Sequence, residues 1–126
     1  MALDGITNLL TITTNRSMTF HILIVARADP AFTNDTAGYE IKGVIKYDPS
    51  SPIKASFVGG TPVVTTLGQD PGTNPYWTVG IGTGLPPNGN QLIITVGSLN
   101  YGVFPFTPPF IPVRWVARVD AAEVAW

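Results

Sequence analysis

The stretch Tyr39-Glu40-Ile41-Lys42-Gly43-Val44-Ile45-Lys46-Tyr47 decides the fold class. Tyr39, Ile41, Gly43, Ile45 and Tyr47 fall on one side of an extended chain, and Glu40, Lys42, Lys46 and the following Asp48 fall on the other. Side chains of a strand alternate between its two faces, so this segment buries one face and wets the other. The closing segment repeats the pattern. Trp115, Ala117 and Val119 share one face, and Arg114, Arg118 and Asp120 share the opposite face with Val116.

Working outward, runs rich in Val, Ile and Thr at 6–14, 18–28, 55–58, 62–67, 76–81 and 91–96 join 39–47 and 113–124 as predicted strands. Turn chemistry separates them at Asp29-Pro30, Asp48-Pro49-Ser50-Ser51-Pro52, Gly59-Gly60, Gly68-Gln69-Asp70-Pro71-Gly72 and Pro86-Pro87-Asn88-Gly89-Asn90. About eight short strands with regular turn signals predict an all-β chain: a sandwich, jelly roll or Greek-key barrel. Residues 1–126 read as a single β-domain with an aromatic, proline-rich loop at 101–112. A chain of 126 residues buries enough surface to fold without disulfides or a structural metal, and it contains no cysteine.

Seven basic and eight acidic residues give a net charge of -1, with the basic residues spread along the chain. Affinity for a phosphate backbone comes from clustered Lys and Arg, so nucleic acid is not expected as a partner. Only 12% of residues are charged, about half the usual share, and the mean hydropathy is +0.24. That balance predicts apolar surface covered by other protein, in a homo-oligomer for which a trimer is expected. The N-terminal ten residues have no basic region and do not read as a signal peptide. The longest apolar run, 22–26, is far short of the roughly twenty residues that cross a bilayer. No membrane partner is expected.

The search for chemistry is mostly negative. His21, the one histidine, lies inside an apolar strand on the face of Thr19, Leu23 and Arg27, and is expected to be structural. Asp29 and Asp35 flank a loop, and a glycosidase-like site would need two such carboxylates at a fixed separation; solvated turn residues are the expectation. Gly80-Ile81-Gly82-Thr83-Gly84 lacks the helix start that makes a glycine loop cradle phosphate, since Pro86 and Pro87 follow, and it reads as a turn. No catalytic residue, metal ligand or cofactor is expected, and the chain is not read as an enzyme. A small hydrolase is the alternative from another class.

The unusual segment is the loop 101–112, with Tyr101, Phe104, Phe106 and Phe110 among four prolines. Its aromatics either cap the open end of the β-core or form a contact with another subunit, because rings on a proline-stiffened loop lose little entropy when buried. A proline-rich ligand for a recognition domain is a third option. The candidate interface residues are Tyr101, Phe104, Phe106, Phe110, Ile111 and the terminal Trp126.

Residues 38–126 resemble a small β-domain that recurs in bacteriophage virion proteins. The matching residues are 38–45, Trp77-Thr78-Val79, Leu92-Ile93-Ile94-Thr95-Val96 and above all Arg114-Trp115-Val116-Ala117-Arg118-Val119, followed by Glu123-Val124. The resemblance implies structure and attachment rather than catalysis. The loop 101–112 departs from it, standing where the family has a short polar hairpin, and favours a site-specific protein contact. A short chain with no fibre stalk before the β-domain further implies a cement or decoration protein on the capsid surface of a virion, made in the host cytoplasm and clamping the major capsid protein. A tail, fibre or baseplate module binding a host glycan or receptor is the alternative, with Tyr76, Trp77 and Tyr101 as rings for sugars.

Overall fold

The computed structural model describes residues 2–3, 8–12, 15–50, 54–73, 76–84, 89–98, 101 and 111–125. Among these the chain forms β1 (Ala2–Leu3), β2 (Asn8–Thr11), β3 (Arg16–Ala28), β4 (Thr36–Tyr47), β5 (Ala55–Phe57), β6 (Val64–Gln69), a 3-10 turn (Pro71–Thr73), β7 (Thr78–Thr83), β8 (Gln91–Gly97) and β9 (Val113–Ala125). All pairings are antiparallel. The larger sheet runs β1-β9-β3-β4-β5, with β6 also on β4, and the smaller runs β2-β8-β7. The chain is therefore all-β, and two sheets closing on one apolar core are consistent with a sandwich.

Three long strands carry the fold. In β3 every even residue from Met18 to Ala28 is buried, while Thr19, Val25 and Arg27 are exposed and Ser17, His21 and Leu23 are partly so. In β4 the faces fall as the sequence predicts, with Tyr39, Ile41 and Ile45 buried, and in β9 Trp115 and Ala117 are buried beside partly covered Val119. From the smaller sheet, β8 adds Leu92, Ile94 and Val96 to the core. Ile22, Ile41, Ile45 and Leu92 are completely enclosed, and shortening such a side chain to alanine costs about 2–5 kcal/mol.

Where Tyr39 and Trp115 meet, an aromatic cluster joins the sheets. Tyr39 stacks on Trp115 at 6.3 Å, Trp115 tilts against Trp77 at 5.7 Å, and Trp77 meets Tyr101 edge-on at 5.1 Å. Such pairs add about 0.5–1.5 kcal/mol beyond area burial. At the other end of the sheet, Phe20 lies over its register partner Gly43. A Cβ on Gly43 would stand 2.8 Å from Phe20 Cζ and 2.6 Å from Pro62 Cγ, so only glycine fits under the ring.

Strand limits differ from the sequence reading in ways that pairing explains. β4 starts at Thr36, not 39, because Thr36, Ala37 and Gly38 are zipped to Arg27, Ala26 and Val25 of β3; neighbouring strands override the weak β preference of Ala and Gly. The run 80–84 is corrected from turn to strand through Thr83, each residue of β7 from Thr78 on having a partner in β8. The turn chemistry holds at Asp48, whose Oδ1 accepts from Ser50 N and Oγ, and at Asp29, whose Oδ1 accepts from Ala31 N.

Candidate functional site

The outer face of the larger sheet is built from the odd residues of β3 and their neighbours on β4 and β9. Across its middle runs a charged band. His21 Nε2 donates to Glu40 Oε2 at 2.9 Å, since an ionised carboxylate only accepts, and Lys42 Nζ stands 3.6 Å from Glu40 Oε1. The His21 hydrogen bond first, and the Lys42 charge second to it, hold the Glu40 carboxyl below its ordinary range. Arg118 and Asp120 on β9 pair at 3.3 Å. Glu40 is the acidic neighbour that His21 lacks in sequence, and the band is a solvated ionic network of small energetic weight.

Beside the band lies an apolar strip. Val116 and Val25 are direct register partners on β9 and β3, exposed by 49% and 50%, and Leu67 on β6 is exposed by 58%. Val25, Gly38 and Leu67 line one shallow depression. Gly38 forms its floor, because a Cβ there would have only the Ile24 carbonyl oxygen at 3.8 Å and Leu67 Cβ at 4.0 Å nearby. Leu67 faces out through a bulge: Gly38 pairs with Gly68 and Tyr39 with Thr66, leaving Leu67 as the extra residue. Single exposed apolar residues are ordinary; here three of them, with the Gly38 groove between, form a row across four strands.

A polar knot surrounds the Tyr101 hydroxyl. Tyr101 O–H donates to Asp35 Oδ2 at 2.6 Å, Thr33 Oγ1 donates to the Tyr101 oxygen at 3.1 Å, and Thr33 Oγ1 accepts from Asp35 N at 2.9 Å. Burial first, and the Asp35 carboxylate second, push the Tyr101 hydroxyl up to about 12. Gly72 leaves room for that carboxylate, since a Cβ there would stand 2.5 Å from Asp35 Oδ2. Ile111 N donates to the Tyr101 carbonyl at 3.1 Å, which closes the loop at its base.

Of the six residues expected at an interface, the structure places Tyr101 and Ile111 in the chain's own core, 3% and 6% exposed. They anchor the loop. Phe104, Phe106, Phe110 and Trp126 lie outside the described residues. Asp29 and Asp35 are each occupied, by Ala31 N and by Tyr101. Among the described residues no group of three or more His, Cys, Asp or Glu is placed to hold a metal ion, and no helix is long and apolar enough to cross a membrane. No protein-family model matches the chain, and no curated protein or solved structure matches it.

Proposed function

We propose that this chain is a structural assembly protein that docks on other protein through the outer face of its larger sheet, and that it serves as a cement or decoration protein on a bacteriophage capsid. The observation that carries the reading is the strip Val116, Val25 and Leu67 around the Gly38 groove, an apolar row that crosses four strands of that face. Covering it would stabilise a complex by about 1 kcal/mol per side chain, given that each is half exposed at the start. The resemblance of residues 38–126 to virion β-domains supplies the setting. The low share of charged residues agrees with a surface meant to be covered.

The receptor-binding alternative loses two of its three rings, because Trp77 and Tyr101 are buried and Tyr76 alone is partly open. Two measurements separate the readings. Quantitative mass spectrometry of virions from the genome that encodes this chain is expected to give hundreds of copies per particle, as a capsid lattice needs; tens or fewer would place it in the tail. Purified protein is expected to bind assembled capsids lacking it and not host cells, and the opposite preference would overturn the proposal.

A further inference from the structure

We propose that the cleft between Arg27 and Arg114 is a binding site for the carboxylate of an acidic protein side chain. The two arginines are direct register partners across β3 and β9. Like charges facing each other on a sheet destabilise it, so the pair calls for an anion. Among the described carboxylates only Asp29 lines the cleft, and one carboxylate leaves one of the two positive charges uncompensated. Of eight acidic residues, Glu40 is held by His21 and Lys42, Asp120 by Arg118, and Glu123 by Arg16. Asp35 takes Tyr101, Asp48 takes Ser50, Asp70 takes Thr36 N and Asp29 takes Ala31 N. The eighth, Asp4, lies outside the described residues.

The Arg27 side of the site is held in place. Asn34 Oδ1 accepts from Arg27 Nε at 3.2 Å and from Nη2 at 2.8 Å, which fixes the guanidinium without neutralising it. Arg114 has no hydrogen-bond or ion-pair partner among the described residues and is exposed. Between them lies a cleft of about 410 Å³, also lined by Ala28, Asp29, Pro30 and Pro112, whose walls are tied by the bond from Asp29 N to the Pro112 carbonyl at 2.9 Å. A guanidinium presents a rigid fork of donors that matches a planar carboxylate. Two arginines and Asp29 leave one net positive charge, which a carboxylate neutralises and a dianionic phosphate would overshoot. Ala28, Pro30 and Pro112 offer no side-chain groups to read sugar hydroxyls, so an acidic side chain suits the cleft better than an acidic sugar. The inference is independent of the capsid reading.

The test is a titration of the arginine Nε–H signals by nuclear magnetic resonance at low salt, with acetyl-glutamate-amide as the probe. The parent is expected to show saturable shifts at Arg27 and Arg114, with a Kd on the order of millimolar. Arg27→Gln or Arg114→Gln is expected to weaken binding at least about tenfold. Arg114→Lys keeps the charge without the fork and is expected to fall between; Arg118→Gln, outside the cleft, is expected to match the parent. The proposal is overturned by the absence of saturable shifts in the parent, or by equal loss in Arg118→Gln. Inorganic phosphate or glucuronate binding about tenfold more tightly would also overturn it. So would binding seen only in Asp4→Asn, which would make the chain's own carboxylate the occupant.

Discussion

At the scale of single residues, three side chains carry sharp expectations. Phe20 and Pro62 both crowd the Cβ position of Gly43, so Gly43→Ala is expected to lower stability by about 1–3 kcal/mol, the usual cost of overpacking, as read from chemical denaturation. Tyr39 has the opposite character. Its hydroxyl is buried with no hydrogen-bond partner among the described residues, and burial pushes its pKa up; Tyr39→Phe removes an unpaid desolvation and keeps the stack on Trp115. The melting temperature is expected to hold or rise, and a fall equivalent to more than about 1 kcal/mol would show a missed partner. For Tyr101 the sign follows from its raised pKa. A phenol ionising at about 12 in the folded chain and near 10 when unfolded contributes stability that is intact below pH 10 and lost as pH climbs toward 12. Alkaline denaturation of Tyr101→Phe is expected to show a shallower slope in that window, on top of the loss of the Asp35 bond at neutral pH.

At the scale of elements, the pairing of β3 with β4 turns an alternating sequence into a usable surface. The alternation of 39–47 and 113–119 was legible without coordinates, as was the position of Val116 among charged residues. The strip it belongs to was not, because that requires knowing that Val25 faces Val116 across one gap and that a bulge in β6 turns Leu67 outward. Register is set by pairing over the length of both strands, and the one local sign in Val64–Gln69, Gly68, reads equally as the start of the turn that follows. For the same reason Glu40 became the partner of His21 only through the β3–β4 register. Tyr101 reads as a possible contact from its loop, yet its hydroxyl has a partly buried carboxylate partner in Asp35, a distant residue in sequence. The groove offers an element-level test. Gly38→Val fills the floor between β3 and β6, where a Cβ makes only ordinary contacts. It is expected to leave the melting temperature near that of the parent while weakening assembly about tenfold, with Gly38→Ala intermediate; unchanged assembly at full groove occupancy would remove the groove from the interface.

At the scale of the whole molecule, the two faces of the larger sheet differ in character, and the proposed function assigns folding to one and docking to the other. The inner face is closed by the smaller sheet and the aromatic cluster, while the outer face carries an ionic band of modest energetic value and an open apolar strip. Changes on one face should therefore move one property and spare the other. The most direct measurement is capsid occupancy, by quantitative mass spectrometry of purified virions, for Val25→Asp and Val116→Asp, alongside the melting temperature of each isolated protein. Both positions are half exposed, so a carboxylate there reaches water in the free chain, but within a covered interface it is desolvated without a partner. The account predicts melting within a few degrees of the parent and occupancy reduced at least about tenfold, equivalent to about 1.4 kcal/mol. Full occupancy by a folded Val116→Asp protein would contradict it.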